Sequence, residues 1–152
     1  MSILNLKDFK HTVSIRVRTF DVDSQGIVHN MNYFKYYEVG RVEYRRNFGY
    51  KINKTGVFDD GLKVVVVRNE VDYISFAYLD DILNVHTRIS WIKNSSFCFE
   101  QIITNQNNET VISRANGILV NLDSFNRPET LKEKFVNEIK SFENNLKILK
   151  ND

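Results

Sequence analysis

Between residues 12 and 20 (TVSIRVRTF) apolar and polar positions alternate, with Val13, Ile15 and Val17 on one side and Ser14, Arg16 and Arg18 on the other. A repeat of two is that of a strand with one face buried. Residues 21–30 (DVDSQGIVHN) are polar and contain Gly26, which predicts a loop. From Met31 the period lengthens. Tyr33, Tyr37, Gly40, Tyr44 and Phe48 fall on one stripe of a helix, and Lys35, Glu38, Arg41, Glu43, Arg45 and Arg46 fill much of the rest. Gly49 follows directly, where a left-handed residue ends a helix.

Residues 62–76 (LKVVVVRNEVDYISF) predict a long extended stretch. Its four consecutive valines are branched at Cβ, which disfavours helix and suits a strand buried on both faces. Three more strands are predicted over 82–92, 96–104 and 110–122, joined by the short polar connectors 93–95 and 105–108 that antiparallel hairpins require. Pro128 opens a last helix, about 128–149, with the apolar stripe Leu131, Phe135, Ile139, Phe142 and Leu146; the end of the chain, 146–152 (LKILKND), is expected to fray. The order is strand, helix, four strands, helix. Three connections are too short for parallel crossovers, so the expected fold is α+β, one antiparallel sheet wrapped around the first helix. A single domain over 1–152, with its core at about 12–122, accounts for the whole pattern.

Composition narrows the function. Of 152 residues 42% are hydrophobic and 26% charged, as in a globular protein, and the net charge is +2. The basic residues are scattered, which argues against a nucleic-acid partner. No apolar run approaches the ~18 residues of a membrane span, and the N-terminus lacks the pattern of a secretory signal, so a cytoplasmic location is expected. Cys98 is the only cysteine, which excludes an intrachain disulfide; between Phe97 and Phe99 it reads as a buried thiol. His11 and His86 have no ligand-type neighbours at metal-binding spacing, so no metal is assigned.

Chemistry is concentrated between Arg18 and Arg46. Asp21 and Asp23 flank Val22, so in an extended loop their carboxylates share a side, where mutual repulsion and burial raise a pKa toward an acid–base value. Gly26 permits a tight turn or the close approach of a ligand. Near Asn30 the helix begins, and its first turn offers unpaired N–H groups and partial positive charge. A carboxylate facing such a terminus has the two parts of a hydrolytic site. Taken singly, the aspartates also read as turn or cap residues, Asn30 as an N-cap and His29 as a loop histidine. A calcium loop is excluded, because the twelfth position from Asp21 is Asn32 and not Glu.

As a whole, RTFDVDSQGIVHNMNYFKYYEVGRVEYRR closely resembles the signature of the 4-hydroxybenzoyl-CoA thioesterase family, which includes acyl-CoA thioesterases associated with the Tol–Pal system. The matching positions are Phe20, Asp21, Asp23, Gly26, Val28, Tyr33, Tyr36, Glu38 and Arg41; Gly40 stands where the family often has Ala. The likeness continues through VVRNEVDYISFAYLDDILNVHTRISWIKNSSFCFEQII and covers about residues 12–122. It implies a hotdog fold, in which subunits pair edge to edge into a homodimer, commonly doubled to a homotetramer, with active sites at the dimer interface. It implies an acyl-CoA thioesterase with Asp23 as catalytic carboxylate, Gly26 allowing close approach, and the Asn30 N–H polarising the thioester carbonyl. His29 is the position that contacts the acyl group or orients water, and Tyr33 helps to shape the acyl site. Lys93 matches a contact to the nucleotide phosphates and Ser96 a pantetheine contact. Asn94 and Ser95 depart from the more basic pattern of the 4-hydroxybenzoyl-CoA enzyme, which argues for different CoA contacts. Glu38 is expected to bridge to Arg41 or to serve a structural role, not to catalyse. Coenzyme A enters as part of the substrate and no separate cofactor is implied. An acyl-carrier-protein hydrolase and a non-catalytic acyl-binding hotdog are the alternatives.

Overall fold

The structure, a computed structural model, describes residues 6–150. The sequence reading of the N-terminus and of the chain end falls partly on residues 1–5 and 151–152, which lie outside that range. After a turn of 3-10 helix come β1 (His11–Arg16), α1 (Asn32–Asn47), β2 (Val64–Tyr73), β3 (Ile82–Ile92), β4 (Ser96–Asn105), β5 (Val111–Asn121), α2 (Glu133–Phe142) and β6 (Lys147–Ile148). The sheet runs β1-β3-β4-β5-β2 with every neighbour antiparallel, and β6 adds to β3 in parallel. It curves around α1, which is the hotdog arrangement. Among the described residues no helix is long and apolar enough to cross a membrane.

The tyrosine stripe decides which face of α1 is buried. Tyr33, Tyr36 and Tyr37 pack with Val17, Val28, Leu83, Val85, Ile103 and Ile112, while Tyr44 joins Ile89, Ile92, Phe97, Phe99 and Leu119 further along. Between the two clusters the helix comes closest to the sheet. A Cβ on Gly40 would lie 2.7 Å from Gln101 Nε2 and from Thr87 Oγ1. The fully buried Gln101 amide uses that space, donating to the Tyr37 carbonyl and the Thr87 hydroxyl at 2.9 Å each. Gly40 thus gives up roughly 1 kcal/mol of helix propensity relative to Ala in exchange for a satisfied polar contact between helix and sheet. At the far end of α1, Gly49 takes φ 86° and closes the helix as expected.

Three expectations need correction. β2 is not buried on both faces within the chain: it is the sheet edge, and Val65, Val66 and Val67 are 40%, 46% and 57% exposed. A run of β-branched residues reports a strand that needs two covers, not whether its own chain supplies both. The last helix is shorter than 128–149, because residues 128–131 stay extended. Leu122 pairs with Pro128, the Glu129 N–H donates to the Asn121 carbonyl, and the Leu131 N–H donates to the Asn94 carbonyl, each bond at 2.8 Å. Proline suits that pairing as well as it suits a first helical turn. Nor is the segment after α2 loose. Lys147 and Ile148 pair with Trp91 and Ile92, and buried Glu143 accepts from the Tyr44 hydroxyl at 2.6 Å and the Ile89 N–H at 3.2 Å.

Candidate active site

The polar stretch between β1 and α1 folds as a small hairpin closed by the pair Val22–Val28. Asp23 opens its tip. The Asp23 N–H donates to the Ile27 carbonyl at 2.9 Å, the Gly26 N–H donates back to the Asp23 carbonyl at 3.0 Å, and the Asp23 side chain accepts the Gln25 N–H at 2.8 Å. Gly26 carries φ 81°, the left-handed residue that such a three-residue loop needs. The hairpin is pinned in turn to the segment after β2, through the pair Ile27–Tyr78 and the Val28 N–H on the Ala77 carbonyl at 2.9 Å. This pairing sets the Asp23 loop against the Tyr73 end of β2.

The two aspartates have separate jobs. Asp21 is fully buried and belongs to the scaffold. It accepts from the Arg18 N–H and Nε at 3.0 Å, from Arg18 Nη2 at 3.2 Å and from the Tyr36 hydroxyl at 2.9 Å. Burial alone would push its carboxyl up, but the Arg18 side chain, the Arg18 N–H and Tyr36 outweigh it and hold the pKa below the usual carboxylate range. The expected rise through mutual repulsion therefore does not occur at Asp21. A carboxylate lowered on folding adds stability that is full above its unfolded value of about 3.9 and disappears as pH falls through the folded one. Replacing Asp21 by Asn is expected to cost about 2 kcal/mol at neutral pH, the scale of hydrogen bonds to a charged group. Urea denaturation across pH should show that deficit shrinking on the acid side, below about pH 4.

Asp23 is half-buried and lines a cleft of about 440 Å³ together with Gln25, Ile27, Val28, Asn30, Tyr33, Tyr73, Ile74, Ser75 and Phe76. Around Asn30 the backbone is almost fully committed. The His29 N–H goes to the Asp21 carbonyl at 2.9 Å, the Met31 N–H to the His29 ring at 3.1 Å, and the Asn32 N–H to the His29 carbonyl at 2.9 Å. The Asn30 N–H has no such backbone acceptor among the described residues. It sits two residues ahead of α1, in a turn held by the Asn32 side chain on the Asp21 carbonyl at 2.7 Å and the Tyr73 hydroxyl on the Asn30 carbonyl at 3.2 Å. The cleft thus brings Asp23 together with Asn30, whose N–H is left without a backbone acceptor on a fixed turn. A carboxylate and an N–H donor are the two groups that attack on a carbonyl, followed by stabilisation of an oxyanion, requires.

Asp23, Asn30 and Tyr33 share the cleft, with Gly26 in the loop that carries Asp23. Tyr33 is buried, and burial with Tyr73 alongside pushes its hydroxyl up to about 12, so it stays protonated. His29 is exposed and its ring caps the turn from outside the cleft lining. Lys93 and Ser96 lie elsewhere. Ser96 pairs with Val120, which in turn pairs with Val65, at the other end of β2 from Tyr73. At about 3.3 Å per residue that separation is roughly 26 Å along the strand. The expected Glu38–Arg41 bridge is not made: Arg41 turns inward to Gln101 at 2.9 Å and Asn69 at 3.0 Å, and Glu38 stays exposed. Sequence reasoning missed Tyr73, Ile74 and Phe76, although the aromatic end of the valine strand (DYISF) carried the signal. No three His, Cys, Asp or Glu side chains converge as a metal site among the described residues.

Comparison with known proteins shows the family. The family described as "Thioesterase-like superfamily" matches residues 17–143. The Escherichia coli protein named acyl-CoA thioester hydrolase YbgC is 30% identical over 127 residues, covering 83% of this chain and 92% of its own. The Arabidopsis thaliana chloroplast protein named acyl-acyl carrier protein thioesterase ATL3 is 30% identical over 130 residues, covering 83% of this chain and 67% of its own. Among solved structures, a Thermus thermophilus thioesterase described as complexed with coenzyme A and Zn superposes with a TM-score of 0.75 at 30% identity, covering 89% of this chain and 95% of that one.

Proposed function

This chain belongs to the thioesterase-like superfamily, and from that premise we propose that it hydrolyses acyl-CoA thioesters, with Asp23 as the reacting carboxylate. The observation that carries the reading is the half-buried Asp23 sharing one cleft with Asn30, whose N–H has no backbone acceptor among the described residues. The substrate carbonyl oxygen accepts that N–H. Asp23 takes a proton from water as the water oxygen bonds to the carbonyl carbon, and the negative charge on the tetrahedral oxygen is met by the Asn30 N–H. The C–S bond then breaks, CoA leaves as a thiolate that takes up the proton, and the free acid departs. Direct attack by Asp23, through an anhydride, is the variant of the same site. Gly26 leaves the loop tip uncovered for the substrate, Tyr33 walls the acyl pocket, and His29 fixes the turn that presents the Asn30 N–H.

The exposed β2 edge needs a second copy of the chain. Antiparallel pairing of two β2 strands about a two-fold sets the Val64 end of one beside the Tyr73 end of the other. A homodimer formed this way brings Lys93 and Ser96 of the partner subunit toward the Asp23 cleft. Acyl carrier protein is the second carrier to test, since the ATL3 relative is named for it. The reading is tested by thiol release from short, long and aromatic acyl-CoAs and from acyl carrier protein bearing the same groups. Turnover of at least one CoA thioester, faster than its carrier-protein counterpart, is expected. No release from any member would end the hydrolase reading.

A further inference from the structure

Among the described residues the turn that carries Asp23 occurs in the same form twice more. Asn53–Val57 and Asp123–Arg127 each open on an Asn or Asp side chain that accepts the N–H two residues on, from Thr55 at 2.9 Å and from Phe125 at 2.8 Å. Each closes with the first residue's N–H on the fifth residue's carbonyl, at 2.9 Å and 2.8 Å. The fourth position is left-handed in all three, at Gly26, Gly56 and Asn126. At the third position two of the turns carry Gln25 and Thr55, polar residues suited to a tip in water. The last carries Phe125, which at 76% is the most exposed large apolar side chain among the described residues.

The backbone that carries this phenylalanine is held firmly. The Asp123 carboxylate accepts the Phe125 and Arg127 N–H groups at 2.8 Å and 3.0 Å, and Arg127 Nε at 3.2 Å. That holds the Arg127 guanidinium 5.1 Å from the centre of the Phe125 ring. Lys63 Nζ donates to the Asn126 side chain at 2.5 Å. The turn also abuts the hairpin of Lys93, through the Asn121 N–H on the Ser95 carbonyl and the Leu131 N–H on the Asn94 carbonyl, both at 2.8 Å. A water-facing ring on a fixed turn with cations beside it combines a stacking surface for a flat base with charge for phosphates.

We propose that Phe125 is the stacking platform for the adenine of a CoA-type nucleotide, with Lys63 and Arg127 supplying positive charge to its phosphates. This rests on the acyl-CoA reading above and extends it to a specific recognition element. Within one chain Phe125 lies near the Val64 end of β2, whereas Asp23 lies at the Tyr73 end. The nucleotide of a thioester bound at one Asp23 therefore meets the partner subunit's Phe125 in the edge-paired dimer. The site is complete only with both copies.

The test compares an acyl-CoA with the same acyl group on pantetheine, which lacks the nucleotide. Phe125→Ala is expected to raise KM for the acyl-CoA about tenfold, the scale of losing one base–aromatic stack, with kcat and the pantetheine thioester unchanged. Phe125→Trp should restore the wild-type KM. Calorimetric titration with 3′-phosphoadenosine 5′-phosphate, which involves no hydrolysis, should show binding to wild type and about tenfold weaker binding to Phe125→Ala. That arm decides the matter even if the role of Asp23 is wrong. Co-expressed Asp23→Asn and Phe125→Ala chains should regain the low KM, since each mixed dimer contains one intact site. An equal loss for both thioesters, a dimer that dissociates on Phe125→Ala, or unaltered nucleotide binding would overturn the proposal.

Discussion

Asp23→Asn is expected to lower kcat for acyl-CoA hydrolysis at least about a hundredfold while leaving the protein folded, because general-base contributions are of this size. The amide keeps the structural part of the residue. Its oxygen can still accept the Gln25 N–H now held at 2.8 Å, so the turn persists, but no group remains to take a proton or attack carbon. The matched control is Asp21→Asn, whose carboxylate serves Arg18 and Tyr36. That variant should lose stability and keep most of its kcat. Steady-state thiol release, normalised to folded protein by circular dichroism, separates the two. Retained activity in Asp23→Asn would leave the fold intact and the site assignment wrong.

The largest structural effect is expected at a residue far from the cleft. Gly117→Ala on β5 should destabilise the protein by about 3 kcal/mol, the lower end for disturbing a buried, hydrogen-bonded charge. A Cβ there would lie 2.0 Å from Arg41 Nη2 and 2.6 Å from Cζ. The obstacle is the end of a flexible side chain, so the cost is that of the contacts it must give up. Arg41 is 7% exposed, bonded to Gln101 and Asn69, and lies 5.8 Å over the Phe99 ring. Burial lowers its pKa, a sign that its charge is already held at a cost. At 2–4 °C per kcal/mol for a chain of this size, Tm should fall by about 6–12 °C in calorimetry. Arg41→Met should then cost less in the Gly117→Ala background than in wild type, a coupling that a double-mutant cycle reads directly.

Much of the fold was legible because the relevant physics is local. The predicted strand 82–92 coincides with β3, since clear alternation is bounded by Asp80-Asp81 and by a short polar hairpin. The tyrosine spacing and Gly49 located the start of α1 to within two residues and its end to within one. What failed depended on distant partners. The valine run could not say that its strand would lie at the exposed edge of the sheet, Pro128 fits an extended pairing as well as a helix start, and the two-residue β6 exists only because β3 offers an edge. The site divides the same way. Asp23, Gly26, Asn30 and Tyr33 sit in one stretch and were readable together, whereas Tyr73, Ile74 and Phe76 join them only through the pairing of residues 27–28 with 77–78. Spacing also could not assign separate roles to Asp21 and Asp23. That division comes from where Arg18 and Tyr36 point, and the inward turn of Arg41 away from Glu38 was hidden for the same reason.

The most direct measurement is a crystal structure of the Asp23→Asn protein bound to an acyl-CoA analogue whose thioester sulfur is replaced by methylene. The expected density puts the ketone oxygen within about 3.2 Å of the Asn30 nitrogen, a normal hydrogen bond, with the residue-23 side chain beside the carbonyl carbon. A ketone seated away from both groups, anywhere else on the molecule, would contradict the account.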